Sequence, residues 1–119
     1  MRKLLTILFL STLSTVSFAG EADVVDVKVS GSGEKFNFSV TVKHADTGWE
    51  HFANRWEVVG EDGTIYGTRV LAHPHVNEQP FTRSGSATIP AGVKTVIVRA
   101  NDLVHGLGGK EIKVTLPGR

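Results

Sequence analysis

Lys35–Lys43 reads KFNFSVTVK. Phe36, Phe38, Val40 and Val42 alternate with Lys35, Asn37, Ser39, Thr41 and Lys43. A period of two over nine residues places the apolar row on one side of a strand and leaves the polar row on the other side in water. β-branched and aromatic side chains fill the apolar row, as a half-buried pleated surface favours. This segment therefore predicts a strand with one face on a core.

Working outward, the same kind of run recurs at intervals of about ten residues, the spacing of all-β sandwiches. Strands are expected at Ala22–Ser30, Lys35–Lys43, Asn54–Gly60, Thr64–Ala72, Thr82–Ile89, Val93–Ala100 and Lys110–Leu116. In the first, Val25, Val27 and Val29 are expected to share a face. In the third, Trp56 and Val58 face inward, with Trp56 placed like the buried third-strand tryptophan of immunoglobulin-type sandwiches. In the last, Ile112, Val114 and Leu116 face inward. No heptad or long helical pattern follows residue 20. The predicted fold is all-β, an immunoglobulin-like or fibronectin-type seven-strand antiparallel sandwich, with a Greek-key barrel as the alternative.

Met1–Ala19 has the features of a secretory signal peptide. Arg2 and Lys3 form a basic start, Leu4–Leu13 an apolar core, and Ser17-Phe18-Ala19 a small-x-small cleavage site. The apolar core is short for a bilayer span, and nothing later is long enough to be a second. No cysteine follows the leader, which argues against a lipid anchor on a thiol. The expected product is a periplasmic or secreted single domain, residues 20–119, with no membrane span after cleavage.

The chain carries a formal charge of +1. Removal of Arg2 and Lys3 takes this to −1, which argues against nucleic acid as a partner, since phosphate binding needs a basic surplus. There are no cysteines, and the one methionine is Met1. Thiolate nucleophiles, iron–sulfur clusters and sulfur-ligated copper are thereby excluded. A metal ion would have to sit on imidazole, carboxylate, carbonyl or water.

Antiparallel strands alternate in direction, so the connections alternate between the two ends. Gly31–Glu34, Glu61–Gly63 and Pro90–Gly92 are tight turns at one end. His44–Ala53, His73–Pro80 and Asn101–Gly109 are longer loops at the other, and they hold all five histidines: His44, His51, His73, His75 and His105. Long loops on a rigid scaffold are where binding residues concentrate.

Within LAHPHVNEQPFTRS, residues Leu71–Ser84, His73 and His75 flank Pro74. Residues i and i+2 of an extended segment project to one side, so two imidazoles could share an ion. Glu78 and His105, with His51 and His44 as alternates, would complete a site for Zn(II) or Cu(II). The competing reading is that His73 and His75 hydrogen-bond loop backbone. Trp49, Glu50, Phe52, Phe81 and Arg83 form a candidate rim for a ligand or protein partner, the alternative being that Phe52 and Phe81 plug the core. The glycines of Asp102–Gly109 could admit a ligand close to the backbone or simply turn the chain. No Gly-x-Ser-x-Gly or His-Glu-x-x-His pattern is present, and the reading leans away from an enzyme.

The run Gly48–Gly109 resembles a group of small exported bacterial proteins to which no activity is attached. The resemblance lies in Trp49, Arg55–Val58, Asp62-Gly63, His73–Ser84, His105-Gly106 and Gly108-Gly109. It implies a secreted β-sandwich and brings no cofactor or catalytic residue. The functional expectation is an exported binding module with a histidine-rich loop end. Alternatives are a chaperone-like accessory subunit using the aromatic rim, a metal-dependent hydrolase, and a pH-responsive histidine cluster.

Overall fold

The computed structural model describes residues 20–119, so the expected leader, Met1–Ala19, lies outside the described residues. Strands follow the chain as β1 (Asp23–Ser32), β2 (Lys35–Lys43), β3 (Ala53–Val59), β4 (Ile65–Val70), β5 (Phe81–Thr88), β6 (Thr95–Asp102), β7 (Gly106–Leu107) and β8 (Ile112–Thr115). One sheet has the order β1-β2-β5. The other has the order β4-β3-β6, with β7 and β8 both pairing β6. All pairings are antiparallel. The fold is thus the expected immunoglobulin-like sandwich, with one addition: the two-residue β7 lies inside the stretch Asn101–Gly109 expected as a loop.

The pattern of KFNFSVTVK is realised in β2, where Phe36, Phe38, Val40 and Val42 are buried. Facing them are Trp56 and Val58 of β3 and Val96, Val98 and Ala100 of β6, all in one core. Each such side chain contributes about 1.5–3 kcal/mol through burial. Trp56 is 1% exposed. A Cβ at Gly85 of β5 would lie 3.0 Å from its Cη2, so a glycine opposite the indole makes room for it.

The first strand departs from its expected register. A bulge between Val24 and Asp26 puts two residues of β1 against one step of β2. Val24 takes the inward position and is fully buried, while Val25 is turned outward. Val27 and Val29 still pack against the core. The simple alternation of the sequence cannot register an inserted residue, and so Val25 does not share the expected face with Val27 and Val29.

The two ends of the sandwich differ as their lengths suggest. Asp23 pairs with Lys43, Val42 with Phe81 and Ala53 with Asp102, which fixes the β2–β3, β4–β5 and β6–β7 connections at one pole. That pole carries every histidine.

Candidate metal centre

Two of the pole's connections, β2–β3 and β6–β7, supply the site. His44 is the residue after β2, and it is buried. Asp102 ends β6 and is 1% exposed. His51 is set by a tight turn: its N–H donates to the Gly48 carbonyl (3.2 Å) and its carbonyl accepts from the Thr47 N–H (3.0 Å). Gly48, with φ of 153°, supplies the positive φ this turn uses. His105 follows Asp102 by three residues, and its backbone N–H donates to Asp102 Oδ1 (2.8 Å).

Asp102 Oδ2 is the focus. His51 Nε2 lies 2.5 Å away, His44 Nε2 3.0 Å and His105 Nδ1 3.0 Å. His44 Nε2 is also 3.2 Å from His51 Nε2 and 3.1 Å from the carbonyl oxygen of Gly20. Among the described residues, His44, His51 and Asp102 form the group whose ligand atoms all lie within 4.8 Å of one another. Burial pushes the Asp102 carboxyl up, but hydrogen bonds from His105 and His51 and the nearby His44 outweigh it and hold the group below its ordinary value.

Behind the site stands Asp46, also buried. Its Oδ1 is 2.5 Å from His44 Nδ1 and accepts the Ala53 N–H (3.0 Å), and its Oδ2 accepts the His75 N–H (2.7 Å). A carboxylate that accepts a hydrogen bond from Nδ1–H keeps the ring proton there and leaves the Nε2 lone pair directed forward, the arrangement found behind metal-ligating histidines. Forward of Nε2 lie further acceptors: Asp102 Oδ2 and the Gly20 carbonyl. So many lone pairs meeting at one buried point require a positive charge there, whether protons or a cation.

The structure divides the ligand set expected from sequence. His105 joins His44, His51 and Asp102, whereas His73, His75 and Glu78 form a second group with Arg83. The His73 and His75 rings lie 4.6 Å apart at 36°, and His75 stacks on Phe81 at 3.9 Å. Arg83 Nη2 donates to His75 Nε2 (3.0 Å) and lies 3.5 Å from Glu78 Oε1. An ion on His75 would meet the Arg83 guanidinium, a neighbour that imidazole spacing alone does not register. Burial, then the charges of Arg83 and His73, lower the His75 pKa from its ordinary value. His75 Nδ1 is buried without a partner, and His73 Nδ1 lies 3.0 Å from the Pro74 carbonyl.

The aromatic rim is also divided. Phe52 and Phe81 are buried and plug the end of the core, whereas Trp49 is 66% exposed and packs edge-on against Phe52 (5.7 Å). Glu50 lies in the exposed turn beside Trp49. Asp102 and Asp46 are the residues that sequence reasoning passed over. Both stand beside histidines, but nothing in the sequence says which carboxylate is carried inward.

The glycine-rich stretch after His105 has a structural use. A Cβ on Gly109 would collide with the Ala22 carbonyl, and one on Gly108 would lie 3.1 Å from Glu21 Cγ. What approaches the backbone here is the chain's own start. The Val24 N–H donates to the Lys110 carbonyl and the Lys110 N–H to Asp23 Oδ1, both at 2.8 Å.

Among the described residues no helix is long and apolar enough to cross a membrane. No known family profile matches the chain. A protein of Halomicrobium mukohataei, named "Putative lipoprotein", is 42% identical over 95 residues, covering 79% of this chain and 47% of its own length. The chain thus spans about half of that relative. Among solved structures, superoxide reductase in the oxidised state matches with a TM-score of 0.50 and 20% identity, over 87% of this chain and 94% of that one. That likeness concerns the sandwich fold.

Proposed function

We propose that the protein is an exported β-sandwich module that binds one divalent transition-metal ion, Zn(II) or Cu(II). Its ligands are His44, His51 and Asp102, with His105 as a fourth group at the rim. The observation that carries this reading is the convergence of three ring nitrogens on one buried carboxylate oxygen, with Asp46 orienting His44 from behind. Imidazole and carboxylate together suit both ions, and the cysteine-free composition leaves no sulfur to select Cu(I). Export is supported by the leader pattern of Met1–Ala19 and by the name of the Halomicrobium mukohataei relative. Residues beyond those ligands would orient and shield the ion, and no substrate is assigned to it.

Isothermal titration of residues 20–119 with Zn(II) and Cu(II) tests the site. One equivalent should bind to the parent and to a His73→Ala/His75→Ala variant, and uptake should be lost in His44→Ala and His51→Ala. Equal, weak uptake by all forms would refute it.

A second reading, docking of a protein partner, is favoured by the exposure of apolar side chains around the site. Trp49, Leu103 and Val104 are 66%, 48% and 61% exposed. The Leu103 N–H donates to the Phe52 carbonyl (3.2 Å), which places these loops side by side. Recovery of a partner that survives a chelator and fails with Trp49→Ala would support it.

A further inference from the structure

We infer that the chain's own mature amino terminus completes the metal centre: the α-amino nitrogen and carbonyl oxygen of Gly20 chelate the ion held by His44, His51 and Asp102. This rests on the metal-binding reading above and adds a ligand that no side-chain search would find.

Three observations lead to it. The Gly20 carbonyl oxygen lies 3.1 Å from His44 Nε2, the same nitrogen that faces Asp102 Oδ2 and His51 Nε2. With the ring proton on Nδ1 toward Asp46, a carbonyl oxygen this close to Nε2 is repelled unless a further proton or a metal ion lies between them. The segment that carries Gly20 is also clamped. Ala22 is fully buried, its carbonyl fits against Gly109, Glu21 packs over Gly108, and Val24 and Asp23 are bonded to Lys110. Finally, the leader boundary predicted from Ser17-Phe18-Ala19 falls immediately before Gly20. Cleavage there turns an amide nitrogen, which cannot ligate a metal without losing a strongly held proton, into an amine that can. The amine nitrogen and carbonyl oxygen of one residue close a five-membered ring with an ion, and Gly20 brings no side chain to crowd it.

The consequence is a site assembled by processing. A precursor that still carries its leader owns the three side-chain ligands but lacks the amine, so the full ligand set exists only in the exported form. The residue pairs Gly109–Ala22 and Gly108–Glu21 then act as positioning contacts for a ligand at the chain terminus.

The test compares three forms of the protein: one beginning at Gly20 with a free amine, the same form acetylated at Gly20, and one beginning at Phe18. Zn(II) and Cu(II) affinities are measured by competition titration, each form beside its His44→Ala variant. The free-amine form should bind about tenfold more tightly or better than the other two. With Cu(II), 15N at the Gly20 amine should change the superhyperfine pattern of the electron paramagnetic resonance spectrum in that form alone. Equal affinities in all three, each lost with His44→Ala, would overturn the terminal ligand and leave the side-chain site standing. Binding by none of them would overturn both.

Discussion

Asp46 joins the two histidine groups, and its removal should be among the costliest single changes at this pole. Its oxygens accept the Ala53 and His75 backbone N–H groups and bond His44 Nδ1, all in a buried setting. Asp46→Ala strands two backbone donors and one ring nitrogen. An unsatisfied buried donor costs about 1–3 kcal/mol, so the two backbone groups alone amount to about 4 kcal/mol. For a domain of this size each kcal/mol moves Tm by about 4–8 °C, giving a fall of about 16–32 °C. Asp46→Asn should fall between, by about 2–3 kcal/mol, because both oxygens accept a backbone N–H and an amide NH2 must face one of them. Thermal unfolding followed by circular dichroism measures this directly. In the same Asn variant, below its Tm, Zn(II) affinity should weaken about 10–100-fold, since the carboxylate that fixes the His44 ring is gone. A melting point within about 3 °C of the parent for Asp46→Ala would refute the hydrogen-bond argument. Unchanged affinity in Asp46→Asn would refute the orienting role.

Glu57 is 4% exposed and accepts from Arg55 Nε (2.7 Å) and Arg99 Nε (2.9 Å); burial raises its pKa, but these partners hold it below the ordinary 4.5. The stabilisation is therefore fully present above pH 4.5 and lost as pH falls through the lowered folded value. Glu57→Gln should cost about 1–2 kcal/mol near neutrality, with the gap closing in acid, as chemical denaturation at several pH values will show. His75 has the same sense in a higher window: its pKa is lowered from 6.5, so the unfolded chain takes up the proton first and stability declines as pH falls below 6.5. His75→Phe, which preserves the stack on Phe81, should remove that decline from the pH dependence of Tm. Gly109→Ala should destabilise by about 1–3 kcal/mol because a Cβ would overpack against the Ala22 carbonyl, whereas Gly92→Ala, with nothing within 4 Å of its Cβ, should not.

The sandwich was legible because alternation is strong wherever a strand lies half-buried, as in Lys35–Lys43, and because tight turns and long loops sort themselves by strand polarity. Two kinds of detail were not. An inserted residue, as at Val25, leaves composition unchanged and alters only the pairing. The break between β7 and β8 occurs in a glycine-rich run that reads as plain loop, because Gly106 and Leu107 pair with Asp102 and Asn101 through backbone alone. At the site, the gathering of five histidines at one pole followed from topology. Their division into two groups did not, because it depends on which carboxylate is buried beneath which ring. Asp46 and Asp102 look like ordinary loop acids in the sequence. Their burial is set by Ala53 and His105, whose backbone N–H groups need acceptors at the places where β3 begins and β6 ends.

That need links fold to chemistry. The last turns of a sandwich leave backbone donors pointing into the core's end, where water cannot reach them. A carboxylate satisfies such donors but brings a charge that must itself be answered. Around Glu57 the answer is two arginines, one on each carboxylate oxygen, on the outer face of a sheet. Around Asp102 the partners are imidazoles instead: His44, His51 and His105. Arginine stays charged and cannot be exchanged for anything else. An imidazole can release its proton to solvent, take a metal ion in its place and keep its position in the cluster. The charge of a buried carboxylate is thus answered in a permanent form along β3 and in an exchangeable form at the loop pole, and the exchangeable one lies beside the exposed Trp49, Leu103 and Val104.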